Sequence, residues 1–381
     1  MNMKGINKVA IVGGGIAGMT AAILLGRQNL NVDLIEEKSS LTPIGAGITL
    51  SAPTLRVFKE IGILEELEKY GGCFNSVDQY TSQGELLRTI PIFAGIASNN
   101  LPGGIGIMRT KLAEILANKM KEYKVNVLLN NSIESMVQSA DHVSVTLSDG
   151  RQERYDMVIG ADGVRSHIRN LLYPEFKGST FTHQGVWRVV VPRFVDQCSI
   201  FFGDEIKTGF TPISSTQCYM FFNDHIEKEE HIPEERLTGL LAEYLSGFGG
   251  QIPSIVKLIK DGTITAKDII FRPLAYHMLE EDWHKNRVVL IGDAIHATTP
   301  HLATGAGIAV EGALILSQEI AKDQSLEDAF KNYKRRHYAR AKLVVDNSVK
   351  LGQYEINHES DEKRGLLMKE SYEELSKPIM E

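Results

Sequence analysis

The sequence predicts an α/β fold in which a dinucleotide-binding domain of Rossmann-like character is interleaved with a β-rich domain, followed by long C-terminal helices. Three observations carry this. Apolar runs of strand length recur near residues 8, 155 and 287, far apart along the chain. A glycine-rich turn joins the first run to an apolar helical stretch. Between the second and third runs the texture changes to alternating β-branched and aromatic residues.

Taken in order, Lys8–Gly13 (KVAIVG) reads as a buried strand, Gly15–Gln28 as a helix and Val32–Glu36 as a second strand, a βαβ opening. The stretch from Val9 to Gly26 carries no charge and is long enough to raise a membrane span. Its glycines at 13, 14, 15 and 18 answer that, because they bare the backbone where a spanning helix needs side chains and a strand-to-helix turn does not. Arg109–Tyr123 places Leu112, Ile115, Leu116 and Met120 on one helical face and leads into a strand at Val125–Leu129. A hairpin follows, Ile133–Gln138 against His142–Leu147, closing at Asp149-Gly150. Tyr155–Gly160 is another buried strand. From Phe181 to Phe222, the residues Trp187, Phe201, Phe202, Tyr219, Phe221 and Phe222 mark a sheet facing something large and apolar. Helical spacing returns at Glu234–Leu245, a buried strand at Arg287–Ile291 runs into Gly292-Asp293, and long helices fill Ser325–Gln353.

The expected division is a dinucleotide-binding domain from 1–73, 106–176 and 275–330, a β-rich substrate domain from 74–105 and 177–274, and a helical segment from 331–381. A chain of 381 residues suits roughly two domains. Lys+Arg 41 against Asp+Glu 48 gives a net charge of −7, the wrong sign for gripping a phosphate backbone, so nucleic acid is not an expected partner. Cys73, Cys198 and Cys218 show neither CxxC pairing nor zinc-site spacing, and no signal peptide opens the chain; a cytoplasmic protein without a metal is expected.

Gly13-x-Gly15-x-x-Gly18 lies between the first strand and its helix, and Glu36 ends the next strand 18 residues beyond Gly18. The first glycine permits the tight turn, the second lets a pyrophosphate reach the backbone, and the third lets helix and strand pack closely. The helix start offers unpaired N–H groups and positive dipole to the anion. Glu36 can accept from both ribose hydroxyls, and with Glu37 it repels a 2′-phosphate, so the ligand is FAD or NAD rather than NADP.

Two later segments, Val158 to Ser166 (VIGADGVRS) and Leu290 to His296 (LIGDAIH), each end a strand with an aspartate in a loop. Alone, each could also be a capped turn, since Asp-Gly and Gly-Asp pairs are common in loops. With the glycine turn, they resemble the DG and GD fingerprints of the class A flavoprotein monooxygenases, the aromatic hydroxylases that include para-hydroxybenzoate and salicylate hydroxylases. The resemblance runs from Lys8 to about Gly352, with smaller matches at Gly45-Ala46-Gly47-Ile48, Arg109, Gly185-Val186-Trp187-Arg188, Phe271-Arg272-Pro273-Leu274 and Pro300. It implies non-covalent FAD held by Gly13, Gly15, Gly18 and Glu36, with Arg109 near the flavin or its phosphates, Asp162 near the pyrophosphate and Asp293 on the ribityl chain. Pro300 and a helix start at Gly305, Ala306 and Gly307 would face the flavin pyrimidine edge. Many members read Leu-Gly-Gln-Gly-Ala-Asn after the proline; here the stretch is Leu302-Ala303-Thr304-Gly305-Ala306-Gly307.

No second GxGxxG has a strand-turn-helix setting, since Gly103 to Gly106 and Gly247 to Gly250 lack it, so NADH or NADPH is expected to dock transiently. The implied reaction is reduction of the flavin by NAD(P)H, addition of O2 at C4a and hydroxylation of a small aromatic substrate by the hydroperoxide. No side chain is assigned a catalytic role; Lys207, Tyr219, Trp187 and Arg188 are the substrate-pocket candidates. Competing readings are a flavin halogenase or isoprenoid reductase of the same fold and a non-catalytic FAD-binding redox sensor. The halogenase wants WxWxIP, whereas Trp187 to Pro192 has one tryptophan. His296 and His301 read as structural loop residues, and Arg335, Arg336, Arg340 and Lys342 as a solvated face. Phe330, Tyr333, Ala341, Val344 and Val345 read as docking the last long helix on the nucleotide domain or on a second subunit, leaving monomer or homodimer open.

Overall fold

The computed structural model describes residues 5–43, 45–92, 101–203 and 206–379. Residues 93–100, in the expected substrate portion, lie outside the described residues. The three distant apolar runs come together in one six-stranded sheet. Its order is His284–Lys285, Val288–Leu290, Met157–Gly160, Lys8–Val12, Asn31–Glu36 and Asn126–Leu129. Val9 pairs with both Met157 and Val32, in parallel on either side. Val9, Ala10, Ile11, Met157, Val158, Ile159 and Val288 to Leu290 are all fully buried, as expected of a parallel sheet covered on both faces. The helix Ile16–Arg27 packs on the strands Lys8–Val12 and Asn31–Glu36 and against the helices Arg109–Glu122 and Gly305–Ile320.

The expected single strand Tyr155–Gly160 is two. Asp156 turns its carboxylate back to accept from the backbone N–H groups of Asn7 and Lys8 at 2.7 and 2.8 Å. Gln152–Tyr155 therefore joins Val143–Leu147 in an antiparallel sheet, while Met157–Gly160 enters the parallel one.

The β-rich residues form an eight-stranded sheet ordered His296–Ala297, Ile269–Met278, Thr180–Pro192, Gln217–His225, Lys207–Pro212, Cys198–Phe202, Ser76–Thr81 and Leu86–Pro91. Trp187 pairs with Phe222 on one side and Phe271 on the other. These rings share a face with Val189, Phe201, Phe210 and Met220, buried beneath the helices Glu234–Leu245 and Ile252–Lys260. The large apolar object this sheet faces is thus its own helical layer. The sequence expectation that Trp187 walls a substrate pocket is corrected: the residue is 0% exposed, stacked 5.7 Å from Phe222. Arg188, Val190, Phe202, Lys207, Tyr219 and Phe221 occupy the opposite face, because neighbours along a strand alternate sides.

The chain runs on into a 31-residue helix, Leu326–Ile356, whose Ser325 cap accepts from the Asp328 N–H. At 1.5 Å per residue it spans about 46 Å. Phe330, Tyr333, Ala341 and Val344 enter the same core as the parallel sheet. The helical period carries Arg336 and Arg340 onto that inner face, so the expectation of a solvated basic stretch is corrected for both. Arg336 pairs with Glu319 at 2.6 Å, and Arg340 grips both oxygens of Glu311 at 2.6 and 2.7 Å. Arg335 stays exposed. Among the described residues no helix is long and apolar enough to cross a membrane.

Candidate functional site

The glycine turn forms a concavity at the head of the parallel sheet. Gly13 sits at φ +106°, and a Cβ there would collide with the Ala161 carbonyl and lie 2.9 Å from Asp162 Cα. A Cβ at Gly18 would collide with the Gly13 carbonyl oxygen. A Cβ at Gly15 would meet nothing within 4 Å, so the turn opens outward there. The helix Ile16–Arg27 begins at that opening with no side-chain cap and no acidic residue in its first turn. Its leading N–H groups and positive dipole end are therefore left for an anion. Glu36 is anchored beside them, accepting from Gly14 N–H at 2.7 Å and Lys38 N–H at 3.0 Å. Backbone donors, bare glycine and one flanking carboxylate fit the adenosine diphosphate half of FAD.

Gly292, at φ +62°, lays the turn Gly292–Ala294 onto the same helix, since a Cβ there would sit 3.0 Å from Ala17 Cβ. Asp293 then projects into a cavity of about 1120 Å³. Its carboxylate is open to that cavity yet crowded by protein, and the crowding pushes its pKa up against the pull of Arg109. Among the described residues it accepts no hydrogen bond, as expected for a group held for ligand hydroxyls. Arg109, at the start of its helix, is half-buried; burial pulls its pKa down, Arg188 adds to this, and Tyr219 and Asp293 oppose it.

Asp162 is used otherwise than expected. One oxygen accepts from Ser166 Oγ at 2.5 Å and the other from the Ile168 N–H at 3.0 Å, so its carboxylate is committed to shaping the loop into His167–Leu172. The aspartate shapes its own loop, and the carbonyl of its neighbour Ala161 meets the glycine turn.

Pro300–Leu302 forms a single tight turn, Ala303 adopts φ +50°, and Gly305–Ile320 starts with neither side-chain cap nor acid. A Cβ at Gly307 would collide with Thr54 Oγ1. The glycine that replaces the family's asparagine is therefore a packing requirement of the helix Ala52–Glu60.

On the sheet face opposite Trp187, Arg188 Nε donates to Tyr219 Oη at 2.8 Å. A Cβ at Gly47 would lie 2.7 Å from Tyr219 Cβ, so the strand Gly47–Ser51 rests directly on this tyrosine. Lys207 shares that face but is paired with Glu355 of the long helix at 2.7 Å. Sequence reasoning missed Glu355, which lies 148 positions from Lys207 and carries no local signal. It also missed the cationic cavity wall formed by Arg165, Arg169, Lys177 and Arg272. Arg169 is fixed by bonds to His277 Nε2 at 3.1 Å and the Ala294 carbonyl at 3.2 Å, and burial drives the His277 pKa down to about 4.

Residues 7–348 match the family described as FAD binding domain. The chain is 33% identical over 321 residues to 2-heptyl-3-hydroxy-4(1H)-quinolone synthase of Pseudomonas aeruginosa, covering 81% of this chain and 80% of that one. It is 28% identical over 364 residues to 6-hydroxynicotinate 3-monooxygenase of Bordetella bronchiseptica, with 90% of each covered. Its fold superposes on Klebsiella pneumoniae HpxO complexed with FAD and uric acid at a TM-score of 0.82, with 22% identity, covering 97% of this chain and 92% of that one. A family match over most of the chain, and a third of residues shared along four fifths of it, mean that this protein belongs to the class A FAD-dependent monooxygenases.

Proposed function

We propose that the chain hydroxylates a planar nitrogen heteroaromatic with NADH or NADPH as reductant and O2 as oxidant. The observation that carries this reading is the meeting of Asp293, Arg109 and the Arg188–Tyr219 pair at the junction between the glycine turn and an aromatic sheet face. FAD supplies the oxygen-transfer chemistry when bound. The chain would hold it at Gly13, Gly15, Gly18, Glu36 and Asp293, with the small residues from Pro300 to Gly307 at the flavin edge. Phe202, Tyr219 and Phe221 would orient a flat ring and exclude water. Nitrogen rings also appear in the names of the quinolone and nicotinate relatives. In this reading the parallel-sheet portion serves the cofactor and the eight-stranded sheet the substrate, and that sheet takes in Ile269–Met278 and His296–Ala297, which run past the division expected at residue 274.

Arg165, Lys177 and Arg272 line the same cavity as Asp293, together with Glu229, and would suit the pyrophosphate of a nicotinamide dinucleotide. Arg272→Ala should raise the KM for NAD(P)H about tenfold by removing one charge-assisted contact, while FAD affinity stays as in the wild type. An unchanged KM would place the reductant elsewhere. Asp293→Ala should weaken FAD by about tenfold or more, the loss of about 1.5–3 kcal/mol of charge-assisted hydrogen bonding. An unchanged FAD dissociation constant would remove Asp293 from the cofactor site. The reading as a whole is tested by adding hydroxyquinolines and hydroxypyridines to the FAD-loaded protein. Oxygen-dependent NAD(P)H consumption that rises with one of them and yields a hydroxylated product supports it; consumption indifferent to every ring offered overturns it.

A further inference from the structure

Glu355 occupies the last turn of the helix Leu326–Ile356, where the helix dipole disfavours a carboxylate. Three side chains from separate segments converge on it. Lys207 Nζ lies 2.7 Å from Oε1, Asn223 Nδ2 donates to Oε2 at 3.1 Å, and His301 Nε2 lies 3.2 Å from Oε2. The other nitrogen of His301 is held 2.9 Å from Thr299 Oγ1. Gly352, one turn earlier, makes room for the ring: a Cβ there would lie 2.8 Å from His301 Cε1. Burial alone would raise the Glu355 carboxyl, but His301 and Lys207 outweigh it and hold the carboxyl well below the usual range.

A paired carboxylate at a helix end is a poor way to stabilise a fold, since apolar packing serves as well. Its consequence is electrostatic. Lys207 lies on the sheet face that carries Thr211, Tyr219, Phe221 and Asn223, with the Phe221 ring laid over Gly209. Without Glu355 this aromatic surface would end in an uncompensated ammonium, a seat for an aromatic carboxylate. With Glu355 the Lys207 charge has its counter-ion 2.7 Å away, and a carboxylate approaching Lys207 meets a like charge beside it.

We infer that Glu355 sets which ring edge the Lys207 end of the aromatic face accepts, cancelling Lys207 so that this end, as distinct from Arg188 in its bond to Tyr219, takes an uncharged heteroaromatic ring in preference to an aromatic carboxylate. The inference rests on the hydroxylase reading for the location of the substrate, but its test needs binding alone. The FAD-loaded protein is titrated with 4-hydroxyquinoline and with its 2-carboxylate, each followed by the change in flavin absorbance. The wild type should bind the uncharged ring at least about tenfold more tightly. Glu355→Gln, which keeps the shape and frees the ammonium, should shift that ratio toward the carboxylate by about tenfold, and Lys207→Met in the same chain should abolish the shift. Equal binding by the wild type, an unchanged ratio in Glu355→Gln, or no binding of the uncharged ring overturns the inference. If Glu355→Gln does not retain FAD, Lys207→Met alone decides. It leaves Glu355 uncompensated and should weaken the carboxylate further, and an unchanged ratio there is equally fatal. Intact binding preference without hydroxylated product would fail the monooxygenase reading and leave this one standing.

Discussion

Gly13→Ala is expected to yield a protein that no longer retains FAD through gel filtration. The added methyl would collide with the Ala161 carbonyl and approach Asp162 Cα at 2.9 Å, both of them backbone that cannot step aside as a flexible side chain would. The residue also sits at φ +106°, where an L side chain is strained. Overpacking costs about 1–3 kcal/mol and the unfavourable backbone region about 1–3 kcal/mol more. Both fall on the turn proposed to meet the pyrophosphate. Relief of that strain moves the turn off the pyrophosphate, and at about 1.4 kcal/mol of lost contact per tenfold FAD affinity should fall by about one to four orders of magnitude. Gly15→Ala separates the two effects. Its methyl meets nothing in the free protein, so the denaturation midpoint should match the wild type while FAD binding weakens. Full FAD occupancy in both variants would show that the pyrophosphate lies elsewhere.

Arg340→Ala is expected to be the most destabilising single change away from the cofactor. Arg340 is 9% exposed, and it binds both oxygens of Glu311, itself 3% exposed. It also donates to the carbonyls of Glu374 and Leu375, capping the C-terminal end of the helix Asp361–Ser376 beside Arg56. Removing it leaves a buried carboxylate with His337 at 3.6 Å and the longer-range pull of Arg56, a loss of about 3–5 kcal/mol. The double variant with Glu311→Gln should be less destabilised than the sum of its parts. Burial alone would raise the Glu311 carboxyl, but His337 and Arg340 outweigh it and hold it at about 2. A depressed carboxyl stabilises the fold fully above its ordinary value of 4.5, and that stabilisation is lost as pH falls from there toward 2. Without Arg340 this acid dependence should flatten. Chemical denaturation of both variants between neutral and acid pH measures this, and an unchanged midpoint in Arg340→Ala would contradict the role given to the pair.

The two variants mark what was legible in the sequence. The glycine turn was legible because its signals are local: a buried strand, three glycines at fixed spacing, an uncapped helix and Glu36 at the end of the next strand. The helix Glu234–Leu245 was legible from its own periodicity. Arg340 was misread because its partner comes from another helix, and only the packing of the two shows which side of the period faces in. Trp187 was misread for a related reason. Alternation tells that neighbours in a strand face opposite ways, but the side covered by Ile252–Lys260 is fixed by tertiary packing. Lys207 was named as a substrate-pocket candidate without its counter-ion, which the long helix delivers from the far end of the chain. Asp162 shows a limit of another kind, since the same aspartate can bind a ligand and shape its own loop, and the sequence does not show that each of its oxygens also accepts a bond within that loop.

Turnover of the FAD-loaded protein with NAD(P)H and a hydroxyquinoline under isotopically labelled dioxygen is the most direct measurement of the proposed chemistry. One labelled oxygen atom in each molecule of hydroxylated product, at close to one product per NAD(P)H consumed, is the predicted result. Label drawn from water, or NAD(P)H oxidised only to peroxide with every ring tried, would contradict it.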